Sequence, residues 1–196
     1  MIISRLHKVH PQWRSNFLLR NLIPIGSFLL FYTSTFAQST FPNDFRKGGF
    51  EIGAQYPKVS LYSLDSTVFN TSDLENKITL INYWFVGCKG CLQEEAFLEE
   101  VSEYFSDDNR VQFISITTSP PLEVQAYLEK HGGFGFPIYT LAGFRAAKKE
   151  FKVRTFPHSQ IVVDGMVVEK FTAPIATVEM KAWLIDRIKE ALKGLD

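Results

Sequence analysis

Lys77-Ile-Thr-Leu-Ile-Asn-Tyr-Trp-Phe-Val-Gly-Cys-Lys-Gly-Cys91 is the stretch whose reading decides the fold. Its first ten residues form a nearly continuous β-branched and aromatic run, as expected of a strand covered on both faces. Gly87 ends that run. From Cys88 on, Leu92, Ala96, Phe97, Val101, Tyr104 and Phe105 recur at helical spacing, with Glu94, Glu95, Glu99, Glu100 and Glu103 between them, which predicts an amphipathic helix. Cys88 and Cys91 are the only cysteines of the chain. Two cysteines scattered at random over this length fall so close roughly once in a hundred chains, so the pair demands an explanation.

Further elements extend outward from this stretch. Val59-Ser-Leu-Tyr-Ser-Leu64 and Thr67-Val-Phe69 predict a short hairpin around Asp65-Ser66. Val111–Thr117 reads as a second buried strand, and Pro120-Pro121 opens a helix through Val124, Tyr127 and Leu128 that Gly132-Gly133 stops. Phe136–Leu141 predicts a short strand, followed by a basic helical stretch around Ala146–Glu150. Asp164-Gly165 lies between two β-branched runs within Gln160–Phe171, a strong hairpin signal. A last helix carries Val178, Leu184, Ile185, Ile188, Ala191 and Leu192 on one face. Strand–helix alternation closed by a hairpin and a helix predicts an α/β sandwich whose central sheet is partly parallel.

Composition narrows the function. The 196 residues hold 21 Lys+Arg and 21 Asp+Glu, so no positive excess points to nucleic acid. With 45% apolar residues and 18 Phe a packed core is expected. Two cysteines exclude both a disulfide-stapled miniprotein and a four-Cys zinc site. The charge is uneven, however. Residues 1–37 contain Arg5, Lys8, Arg14 and Arg20 and no acid, and Leu22–Ala37 is an apolar run ending in Thr35-Phe36-Ala37. That order matches a secretory signal peptide cleaved after about Ala37, with a retained membrane anchor as the alternative. The expected organisation is therefore residues 1–37 as leader, 38–52 as linker and 53–196 as the folded domain, in a periplasmic or otherwise extracytoplasmic setting. Two neighbouring cysteines cycle there between dithiol and disulfide.

The predicted boundary between strand and helix places Cys88 at a helix N-terminus, where unpaired N–H groups and the helix dipole favour an anion. A contribution of about 1 kcal/mol there lowers a thiol from about 8.5 toward 7. Lys89 adds a positive charge nearby. Cys88 is thus expected to be exposed and to attack, with Cys91, one turn inside, shielded and resolving.

Here the chain resembles the thioredoxin superfamily, and most closely its secreted TlpA/ResA-type thiol–disulfide oxidoreductases. The resemblance rests on Asn82-Tyr83-Trp84 followed by Cys88-x-x-Cys91-Leu-Gln-Glu94, on Gly53-Ala-Gln-Tyr-Pro57 upstream, and on Phe156-Pro157 with Ile161-Val-Val-Asp164-Gly165 downstream. It implies a thioredoxin-like three-layer sandwich with a mixed central sheet and an N-terminal hairpin. It further implies that Pro157 is a cis-proline lying against the cysteines, that the backbone of Phe156 helps hold the substrate chain, and that Glu94 is a buried carboxyl accepting a proton from Cys91. Five acids on a solvated face are the competing reading of Glu94. Asn82 stands where cytosolic relatives carry a buried Asp, and an amide relays no proton. The implied partners are a protein disulfide or dithiol substrate and a membrane electron donor, with no organic cofactor.

Three positions depart from the family pattern: Gly87 replaces the usual Trp before the first cysteine, Gly90 a frequent Pro, and Ala96 a common helix Pro. Three other functions compete with this reading. His158 next to Pro157 suggests a copper chaperone holding Cu(I) through Cys88, Cys91 and His158, although such proteins carry Cys-x-x-x-Cys. A peroxiredoxin needs Thr three residues before its cysteine, where Phe85 stands. A binding module that uses the fold only as a scaffold is the third. Asn70-Thr-Ser matches a glycosylation triplet of low specificity.

Overall fold

The structure is a computed structural model, and it describes residues 45–195. The leader of residues 1–37 lies outside these residues. Seven strands form one mixed sheet in the order β2-β1-β5-β4-β3-β6-β7. They are β1 (Ser60–Ser63), β2 (Val68–Asn70), β3 (Ile78–Trp84), β4 (Val111–Thr117), β5 (Ile138–Thr140), β6 (His158–Val163) and β7 (Met166–Phe171). The helices are α1 (Lys89–Tyr104), α2 (Pro121–His131), α3 (Phe144–Glu150) and α4 (Val178–Leu192). The α/β sandwich, its mixed sheet and its N-terminal hairpin agree with the expectation from sequence.

Strand β3 lies inside the sheet between β4 and β6, and every one of its seven residues is buried. It pairs in parallel with β4, from Ile78 opposite Val111 to Trp84 opposite Thr117, and antiparallel with β6. Period-two alternation then divides the core between two faces. Leu80 and Trp84 face the layer of α1, α2 and α4, where they join Leu98, Val101, Val124, Leu184 and Ile188. Ile81 and Tyr83 face the other layer, with Tyr56, Leu74, Ala147 of α3 and Phe151. The β6–β7 turn takes the predicted form, Asp164 and Gly165 both having positive φ as a type I′ turn requires.

Two corrections concern which residues the helices bury. On α1 the buried face runs through Cys91, Glu94, Glu95, Leu98 and Val101, whereas Leu92 is 53% and Tyr104 55% exposed. The acids misled the pattern: two of them turn inward because partners exist there, Asn82 and the Ile175 N–H for Glu94 and the Tyr127 hydroxyl for Glu95. On α4, Val178 is exposed, and the residue that anchors the helix is Trp183, set edge-on against Phe171 with ring centroids 5.4 Å apart.

The outer edge of β7 is covered from within the chain. Gly53 donates to the Val167 carbonyl (2.7 Å), Val167 donates back to Ala54 (2.9 Å), and Thr172 donates to Phe45 (2.8 Å). Ion pairs Arg46–Glu169 (2.7 Å) and Lys170–Glu51 (2.9 Å) fasten the same segment.

The inward face of α1 sets a stability test. Leu98→Ala removes a fully buried side chain and is expected to cost about 2–5 kcal/mol of unfolding free energy, read by chemical denaturation. Leu92→Ala, on the outward face, is expected to cost less than about 0.5 kcal/mol.

Candidate active site

The end of β3 delivers the cysteines. Past Trp84 the chain leaves the sheet, held by the Val86 N–H donating to Ser119 Oγ (2.9 Å) and the Thr118 N–H donating to the Trp84 carbonyl (3.2 Å). Gly87 turns it at φ +90°, a left-handed conformation that costs glycine little. The Cys88 N–H donates to the Phe85 carbonyl (3.1 Å), and Cys88 becomes the N-cap of α1. Its Sγ accepts a hydrogen bond from the Cys91 N–H (3.2 Å), one of the donors that a helix start leaves unpaired. Cys88 and Cys91 are joined as a disulfide with an S–S distance of 2.04 Å. Cys88 is 7% and Cys91 2% exposed, so the expected order of exposure holds while Cys88 is far less open than the sequence suggested.

The Phe156–Pro157 peptide is cis, as the resemblance implies. Pro157 closes over the first turn of α1: a Cβ added at Gly90 would lie 3.0 Å from Pro157 Cδ and 3.9 Å from Pro174 Cγ. Gly90 therefore does more than loosen the helix start; it lets the proline turn approach. Phe156 packs edge-on against Phe85 (5.5 Å) and Phe144 (5.4 Å). His158 goes elsewhere. It is 1% exposed, its ring lies 5.8 Å from that of Tyr83, and Tyr83 faces the layer opposite the cysteines. Cys88, Cys91 and His158 are thus not brought together, which removes the copper site that the sequence allowed. Among the described residues no cluster of three His, Cys, Asp or Glu side chains suits a metal ion. Burial pushes the His158 imidazole down to about 3, with the Lys170 charge adding to the effect.

Glu94 is fully buried, and the solvated reading falls. Its Oε1 accepts from Asn82 Nδ2 (2.7 Å) and its Oε2 from the Ile175 N–H (3.1 Å). Asn82 Nδ2 also donates to Ser159 Oγ (3.1 Å). Burial raises the carboxyl to about 8, against the pull of those two hydrogen bonds. Cys91 and Glu94, three residues apart on one helix, are neighbours on its buried face. The sequence gives no local signal for Ser159 or the Ile175 N–H, because both arrive from distant segments.

The sign of the Glu94 shift makes it a stability probe. The unfolded chain ionises this carboxyl near pH 4.5 and the folded chain near 8, so folding loses stability as pH rises between those values. Glu94→Gln removes that loss. The variant is expected to gain in melting temperature relative to the parent at pH 8 and to show no such gain at pH 4.5, measured by calorimetry at both values.

Comparison with known proteins agrees with this geometry. The Redoxin family model matches residues 51–181. The thioredoxin-like protein YneN of Bacillus subtilis is 26% identical over 123 residues, covering 62% of this chain and 71% of that protein. Among solved structures, the thioredoxin domain of a thiol-disulfide oxidoreductase from Bacteroides vulgatus superposes with a TM-score of 0.61 at 18% identity, covering 72% of this chain and 97% of that one. A secreted disulfide oxidoreductase of Mycobacterium tuberculosis, homologous to DsbE of E. coli, gives 0.56 at 17% identity, covering 68% and 96%. On the strength of the family match and of a thioredoxin fold that presents a Cys-x-x-Cys disulfide at a helix start, the chain belongs to the Redoxin family and is an oxidoreductase of the thioredoxin type.

Proposed function

We propose that the protein reduces disulfides of client proteins outside the cytoplasm. The observation that carries this reading is the Cys88–Cys91 disulfide at the start of α1, lying beneath the Phe156–Pro157 turn. In the dithiol form, the Cys88 thiolate attacks one sulfur of the client disulfide, making a Cys88–client bond and releasing the other client sulfur as a thiolate that takes up a proton. Cys91 then loses its proton to the ionised form of Glu94, whose share grows as pH rises toward 8. The Cys91 thiolate attacks the Cys88 sulfur, re-forming the disulfide and releasing the second client sulfur. The second client sulfur leaves as a thiolate and takes the proton from Glu94, while the first takes one from water, replacing the proton that Cys88 had given up. Two electrons and two protons thus pass from the dithiol to the client overall. The cap hydrogen bond from the Cys91 N–H and the dipole of α1 favour the Cys88 thiolate. The backbone of Phe156 guides the client chain. A membrane electron donor re-reduces the pair.

The extracytoplasmic setting is supported by the signal-like residues 1–37 and by the likeness to a secreted oxidoreductase. No helix among the described residues is long and apolar enough to cross a membrane.

Three measurements test this reading. Cys91→Ala is expected to accumulate mixed disulfides through Cys88, while Cys88→Ala accumulates none; equal trapping by both variants overturns the assigned order. The pH profile of kcat/KM is expected to carry an inflection near 8 that Glu94→Gln abolishes, lowering the rate 10²–10⁴-fold at its optimum if Glu94 is the proton acceptor. A reduction potential near −120 mV, as in DsbA, would reverse the direction to oxidation.

A further inference from the structure

Beside the disulfide lies a hollow of about 390 Å³ with almost wholly apolar walls, whose lining includes neither Phe156 nor Pro157. Trp84, Val86, Leu92, Tyr127 and Phe134 line it, and Cys88 and Cys91 border it. Gly87 stands at its mouth, exposed, with no atom within 4 Å of where a Cβ would be. An engineered cavity of about 150 Å³ holds a benzene ring, so this hollow accommodates an aromatic or large aliphatic side chain. Its rim has a charge preference as well: Lys89 and His131 are the basic residues lining it, both exposed, and no carboxylate lines it.

We propose that this hollow is a specificity subsite that takes the apolar side chain next to the reacting cysteine of a client protein, with an acidic residue beyond it meeting Lys89 and His131. The inference rests on the exchange reaction proposed above. Whatever fills the hollow during exchange arrives attached to a sulfur, because the sulfur it must meet borders the same space. That requirement favours a segment of polypeptide over a free apolar molecule. Leu92, half in solvent at the wall, determines specificity.

The test uses the full chain and synthetic peptides, each with one internal disulfide, that carry Phe-Cys-Glu, Ser-Cys-Glu or Phe-Cys-Lys at the reacting cysteine. The reduced protein is expected to reduce the Phe-Cys-Glu peptide with a kcat/KM about tenfold or more above Ser-Cys-Glu, and above Phe-Cys-Lys at low ionic strength. Leu92→Trp, which fills the hollow from an exposed position, is expected to erase the preference for Phe, read as the ratio of kcat/KM for the Phe-Cys-Glu and Ser-Cys-Glu peptides falling to about one. Equal rates for Phe and Ser, or a preference that survives Leu92→Trp, would overturn the subsite. Equal or faster reduction of the Lys peptide would overturn its charge preference. A binding measurement separates this proposal from the reaction: calorimetry of the oxidised protein with Cys→Ser versions of the peptides tests the hollow directly. Absence of hydroxyethyl disulfide exchange would instead sink the oxidoreductase mechanism.

Discussion

A single buried carboxyl joins the parts of this molecule that must stay in register. Glu94 on α1 receives one hydrogen bond from β3, through Asn82, and one from the main chain between β7 and α4, through Ile175. Asn82 in turn reaches Ser159 on β6. A buried polar group that lacks partners costs about 1–3 kcal/mol, so this arrangement tolerates little displacement of any one segment. The reacting helix, the central strand, the strand behind the proline turn and the Pro174–Ile175 loop are thereby tied to one another. The same burial that makes the knot rigid raises the carboxyl to about 8, so that its proton-accepting form is the minor one at neutral pH and grows as pH rises. Structure and proton chemistry share one cause.

Much of the architecture was legible along the chain. The fully buried, β-branched and aromatic strand β3, the Asp164-Gly165 turn and the proline-opened, glycine-closed α2 are local signals, and each became the element expected of it. The cysteine pair at the strand–helix boundary was equally plain. The inward face of α1 was not. Leu92 looked like core, and for Glu94 hydropathy spoke for the surface while only the family resemblance spoke for burial, because hydropathy ranks side chains by their own chemistry and cannot know which partners wait for them. Glu94 and Glu95 are buried by groups 12 to 81 residues away in sequence. Only the fold brings those groups within reach.

The sheet also separates two functions that adjacent sequence seemed to combine. Pro157 and His158 are neighbours in the chain, yet β6 turns His158 toward Tyr83 while Pro157 covers the start of α1. Alternation along a strand sends successive side chains to opposite faces, and here it takes the imidazole out of the sulfur site altogether. The departures from the family pattern acquire physical content in the same way. Gly90 admits the proline ring, and Gly87, with open space around it, lines the hollow beside the disulfide.

The stitching of Gly53 and Ala54 onto Val167 has a consequence for how another polypeptide is received. One margin of the sheet is already paired by the chain itself, and the opposite margin, β2, is only three residues long. Neither offers a ladder on which a foreign strand could extend the sheet, a common route to both recruitment and self-polymerisation. An incoming extended segment therefore finds little main chain to pair with at either flank of the described sheet.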